Sequence, residues 1–134
     1  MRQKLIVLIL ALIFSLSFNS CSGPYTVEDD GRTIELGIDD PFEIELDGNP
    51  TTGYIWDVLF YDSTIIKQIG KADYQAISDA LGSGGKYTFK FQTISAGSTS
   101  LQLIYYRSFE KNVPPAKTFQ LEVISGTMGR IEAE

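Results

Sequence analysis

The chain has no histidine and one cysteine, Cys21. Those two facts remove most hydrolytic chemistry. A serine or cysteine nucleophile activated by imidazole needs a histidine. A zinc site of His and Cys ligands needs several of them. The acidic pairs Asp29-Asp30 and Asp39-Asp40 lack the regular oxygen spacing of a calcium loop. No spacing sets two carboxylates across a cleft, as glycoside hydrolysis requires. Gly82-Ser83-Gly84-Gly85 lacks the Lys and Ser/Thr of a phosphate-binding loop and precedes a strand pattern instead of a helix. No catalytic residue, metal or cofactor is expected.

What remains is contact chemistry, carried by three stretches. Asn49-Pro50-Thr51-Thr52-Gly53-Tyr54 combines a proline of fixed φ with a glycine free to take positive φ. The pair makes a preformed turn with two hydroxyl residues at its tip. Asn49 is read as bracing this turn through nearby backbone. Hydroxyls at a turn tip have little to stabilise, so Thr51 and Thr52 are read as contacts. Gly82 to Gly85 allows close approach of backbone to a partner. Arg107-Ser108-Phe109 supplies an Arg–aromatic pair, the composition of an interface hot spot. Lys86 and Tyr87 flank the glycine loop as peripheral contacts.

These stretches are separated by segments of period two. Ile34, Leu36 and Ile38 alternate with polar residues, as do Phe42, Ile44 and Leu46. Tyr54, Trp56, Val58 and Phe60 form one face of a third strand, with Trp56 assigned to the core. Ile55 and Leu59 on its other face predict a strand flanked on both sides. Thr64 to Ile69 is a short β-branched run, and Gln75 to Leu81 is compatible with one helical turn. Tyr87, Phe89 and Phe91 alternate with polar residues, then Leu101, Leu103 and Tyr105, then Phe119, Leu121 and Val123. Seven to eight short strands with turns about every ten residues predict an all-β fold, an Ig-like antiparallel β-sandwich. Periodicity alone does not separate it from a small barrel. In a sandwich the three stretches become loops at one end.

The ordered set resembles the chagasin family, whose members inhibit papain-like cysteine proteases. The resemblance rests on Asn-Pro-Thr-Thr-Gly-aromatic before a nearby Trp, Gly-x-Gly-Gly, and Arg-x-aromatic, and it runs from about Arg32 to Ile124. It implies a reversible, competitive inhibitor that wedges three loops into the protease cleft. By that resemblance Asn49, Pro50, Thr51, Thr52, Gly53 and Tyr54 enter the catalytic centre. Gly82, Ser83, Gly84 and Gly85 lie along the substrate cleft, and Arg107, Ser108 and Phe109 grip its primed side. Ser108 and Phe109 stand where the family usually has proline and tryptophan. The alternative is an Ig-like adhesion or envelope-assembly module.

Residues 1–20 read as a signal peptide. Arg2 and Lys4 precede the apolar run Leu5 to Phe14, which is too short to cross a bilayer as a helix. Cys21 after small polar residues resembles the lipobox of bacterial lipoproteins, implying lipidation there and a tether over residues 21–31. The inhibitor domain is then 32–125, followed by a flexible tail over 126–134. The expected location is the bacterial cell envelope, lipid-anchored and exported, facing the periplasm or exterior. Ser22 favours the outer membrane. The chain's net charge is −6. Without residues 1–20 it keeps 9 Lys+Arg against 17 Asp+Glu, a charge of −8. Such a surface repels phosphate backbones, so no nucleic-acid partner is expected. The expected partners are a papain-like protease and a membrane, with the protein acting as a monomer.

Overall fold

A computed structural model describes residues 23–80 and 82–126. They form two packed sheets of eight strands, the all-β sandwich expected from the alternation. The strands are β1 (Thr33–Leu36), β2 (Pro41–Gly48), β3 (Ile55–Phe60), β4 (Ile66–Gln68), β5 (Asp73–Ala76), β6 (Gly85–Thr93), β7 (Gly97–Tyr106) and β8 (Lys117–Ser125). One sheet has the order β1-β8-β7-β3. The other has the order β2-β6-β4, with β5 pairing the opening half of β6.

The alternating residues explain the layers. Phe42, Ile44, Leu46, Tyr87, Phe89 and Phe91 point inward from β2 and β6, and Leu101, Leu103, Phe119, Leu121 and Val123 from β7 and β8. Successive strand residues face opposite sides, so period two in sequence becomes one dry face per sheet. Phe42 stacks on Phe91 at 5.5 Å, and Trp56 packs on Tyr105 at 5.1 Å. Trp56 is buried, and its indole N–H donates to the Asp47 carbonyl at 2.9 Å.

Among the named strands all pairings but one are antiparallel; β1 runs parallel to β8, from Thr33 opposite Glu122 to Leu36 opposite Ser125. Three expectations need correction. The β3 strand is an edge rather than a flanked strand. Its register shifts between Val58 and Phe60, leaving Leu59 and Phe60 exposed. The stretch around Gln75 is strand, not helix, because its backbone pairs with Tyr87 to Gly85. The presumed tether joins the domain earlier than Arg32. Tyr25 bridges Ile44 in parallel, donating its N–H to Glu43 and accepting one from Glu45. A 3-10 turn over Val27–Asp29 then carries the chain across to β1. The signal peptide, Cys21 and the tail from residue 127 lie outside the described residues.

The β2–β3, β5–β6 and β7–β8 connections all leave the same end. Gly48 pairs with Gly85, and Ile55 pairs with Tyr106. The opposite end is closed at Thr93, whose hydroxyl donates to Gly37 and accepts from the Asp40 N–H. Asp39 takes φ 65° in the turn there, so the Asp39-Asp40 pair shapes a turn.

Candidate functional site

The first loop is a 3-10 turn over Pro50–Thr52. Pro50 begins it, where its missing N–H costs nothing. Gly53 ends it at φ 88°, a region closed to most side chains. Its N–H donates to the Pro50 carbonyl at 2.9 Å. Asn49 caps the turn, with its Oδ1 accepting from the Thr51 N–H at 3.2 Å and from the Thr51 hydroxyl at 2.6 Å. The Asn49 carbonyl accepts from the Thr52 hydroxyl at 2.7 Å. Below the turn, the Tyr105 hydroxyl accepts from the Asn49 N–H at 2.9 Å. The expectation that the two threonine hydroxyls have nothing to stabilise is therefore corrected. Both donate inside the loop. What Thr51 and Thr52 leave outward is exposed surface with spare acceptor capacity.

The glycine loop is held from both sides. The Asn49 amide Nδ2 donates to the Gly82 carbonyl at 2.9 Å, linking the first loop to the second. Gly85 opens β6 instead of lying beyond it, between Gly48 of β2 and Ala76 of β5. A Cβ placed on Gly85 would lie 2.1 Å from the Gln75 carbonyl oxygen, so only glycine fits. Gly84, at φ 78°, sits against Gly48 and Asn49, and its carbonyl accepts from the Ile77 N–H. Gly84 and Gly85 are buried, whereas Gly82 and Ser83 are exposed. The outward part of this loop is thus its first half. Beside it Lys86 pairs with Asp47 at 2.8 Å. That hydrogen bond, then the charge of Asp47, holds the Lys86 ammonium above its ordinary pKa. Tyr87 is buried, so it lines the core and is no peripheral contact.

Arg107 connects the third loop to the first. Its Nε donates to the Thr52 carbonyl at 3.2 Å, and its guanidinium lies 4.4 Å above the Tyr54 ring. Tyr54 in turn stacks on Tyr105 at 5.3 Å. Arg107 is half-buried and bound on three sides, so it binds the loops to each other and has little left for gripping a partner. Ser108 is exposed, and Phe109 is 67 % exposed. The Phe109 ring edge is 3.1 Å from where a Gly53 Cβ would stand. The absence of a side chain at Gly53 gives that ring its seat.

The structure thus brings all three predicted stretches together, each joined to the first by a side-chain hydrogen bond. Sequence reading missed Ile77 and Val113, 70 % and 55 % exposed, on the loops beside Ser83 and Phe109. The signal was available, because an apolar residue outside any alternating run between two strands has no core to enter. It also missed Glu110, which pairs with Arg107.

A family model described as "Chagasin family peptidase inhibitor I42" matches residues 35–123. The chain belongs to the chagasin family. Residues 35–123 are a cysteine protease inhibitor domain of that family. Amoebiasin-1 of Entamoeba histolytica is 34 % identical over 100 residues, covering 73 % of this chain and 94 % of that protein. The crystal structure of the cysteine protease inhibitor EhICP2 from Entamoeba histolytica superposes with a TM-score of 0.69 at 24 % identity, covering 77 % of this chain and 94 % of that one. PbICP-C, solved in complex with falcipain-2, shares the fold with a TM-score of 0.54 at 20 % identity, covering 78 % of this chain and 90 % of that one. The adhesion-module alternative finds no support among these relatives.

Proposed function

We propose that this chagasin-family chain is a reversible, competitive inhibitor of papain-like cysteine proteases that seats its three loops in the active-site cleft. The observation that carries the proposal is the cross-bracing at one end of the sandwich. Asn49 ties the first loop to Gly82, and Arg107 ties it to the third. Loops already fixed lose little entropy on docking, so contacts convert efficiently into affinity. Falcipain-2, the partner of the fold relative PbICP-C, is a protease of the class proposed.

In this reading Thr51 and Thr52 come nearest the protease's cysteine and histidine. Gly82 and Ser83 lie along the cleft on one side, with Ile77 as an apolar flank. Phe109 packs on the opposite wall. In this reading no bond is cleaved, because the first loop is a turn closed on itself and not an extended substrate-like strand. Chain entry at the far end of the sandwich fits the second part of the proposal, a lipid on Cys21 that anchors the protein in a bacterial envelope.

Titration of papain and cathepsin L with the purified protein tests the inhibitory reading. The expected result is full inhibition of at least one, reversed by dilution and relieved by excess substrate. No inhibition of either at micromolar protein would sink it. For the anchor, mass spectrometry of membrane-extracted protein is expected to find diacylglycerol on Cys21. A mature chain with a free thiol rules the anchor out.

A further inference from the structure

The third loop turns back sharply just after β7, with Ser108 at the position of a turn where proline would fix φ. Serine fixes nothing there. A different device holds the turn. The Glu110 N–H donates to the Arg107 carbonyl at 3.1 Å, closing the turn from Arg107 to Glu110. The Glu110 carboxylate then accepts from Arg107 Nη1 at 3.0 Å across the same four residues. Both side chains are only about a third exposed, at 34 % and 32 %, so water screens the pair less than a surface pair.

The geometry points to Glu110 as a positioning residue for inhibition: its ion pair with Arg107 holds both the Phe109 turn and the Thr52 corner of the first loop. The chain of contacts is continuous. Glu110 fixes one edge of the guanidinium, whose Nε holds the Thr52 carbonyl and whose face covers Tyr54. Phe109, between the two paired residues, sits over Gly53. Without the carboxylate, Arg107 keeps its stacking on Tyr54 and its Nε bond to Thr52, but the outer edge of its fork is unheld, and the turn retains one backbone hydrogen bond. Arg107 needs its planar fork for this, so lysine does not substitute.

The inference rests on the inhibitory reading for its affinity readout, and a second readout is independent of it. Glu110→Gln is expected to weaken inhibition of papain on the order of fivefold, the scale of one partly exposed ion pair. Adding Ser108→Pro to that variant is expected to restore inhibition to within about twofold of wild type, because proline supplies the φ restriction. The Ser108 N–H has no hydrogen-bond partner among the described residues, so proline removes no bond. In parallel, 15N relaxation is expected to show a lower order parameter at the Phe109 amide in Glu110→Gln and recovery in the double variant. If Glu110→Gln inhibits as well as wild type, or Phe109 stays equally ordered, the positioning role is overturned. Weakening that proline fails to relieve also overturns it, since Glu110 would then act by direct contact. A wild-type chain that inhibits nothing refutes the inhibitory reading alone, and the relaxation data still decide the role of Glu110.

Discussion

Asn49 uses every polar group it has on the loops around it and the strand beneath. Its N–H, carbonyl, Oδ1 and Nδ2 reach Tyr105, Thr52, Thr51 and Gly82. Thr51 sits on the outer side of that network, exposed, with its N–H and hydroxyl both donating to Asn49 Oδ1 and its methyl free. The two residues therefore separate by their effects. Thr51→Arg is expected to weaken papain inhibition by more than tenfold while moving the melting temperature by no more than about 4 °C, the shift of about 1 kcal/mol in a domain of this size. Asn49→Ala is expected to lower both affinity and melting temperature, because it leaves the Gly82 carbonyl and Thr51 N–H without their partner. A Thr51→Arg protein that melts far earlier would make that side chain structural. Gly53→Ala belongs with Asn49, since alanine at φ 88° is strained and the new methyl displaces the Phe109 ring.

Gly85 shows how an element depends on one missing side chain. Two strands approach β6 at that residue, and the β5 backbone lies where a Cβ would go. Gly85→Val is expected to detach β5, with amide exchange protection lost at Gln75 and Ile77 and retained at Phe89. Full protection at Gln75 would mean the backbone can move aside. At this scale the sequence was legible where one strand face is dry and the other wet. The β2, β6, β7 and β8 strands alternate cleanly because each has that asymmetry. The β5 strand was not legible, since Asp73 to Ala76 buries almost nothing and is a strand only because β6 offers it a free edge. The outer part of β3 misled for the converse reason. Its apolar residues continue past the register shift, onto surface with no neighbouring strand. The three loops were legible as a set. Their bracing was not, because Asn49 to Gly82 and Thr52 to Arg107 are pairs far apart in sequence, fixed only by the sandwich.

At the scale of the whole molecule, one acid-sensitive point lies where the chain crosses between the sheets ahead of β1. The Asp29 carboxylate accepts from the Thr26 N–H at 2.8 Å and pairs with Arg32, and the backbone bond, the larger cause, holds its pKa below the usual carboxylate value. A lowered folded pKa means stability present above the unfolded value, roughly 3.9, and lost as pH falls through the folded value. The crossing segment is therefore expected to loosen below about pH 4, measured by amide exchange at Thr26 and Arg32. Asp29→Asn is expected to abolish that pH dependence at these amides. The Asn49 braces of the first loop are expected to stay ordered over the same range, because they are neutral hydrogen bonds. Amides at Asn49 and Thr51 that open together with Thr26 would contradict this separation.

The parallel bridge between Tyr25 and Ile44 fixes the direction from which the chain arrives. Residues 23 and 24 run beside Pro41 and Phe42, at the start of β2, while Asn49 stands just past its end. Gly23 is therefore separated from Thr51 by about the length of β2. Eight strand residues span roughly 25 Å. On the proposed reading, protein immobilised through Gly23 is expected to inhibit papain as well as the free chain does, because handle and blade lie at opposite ends.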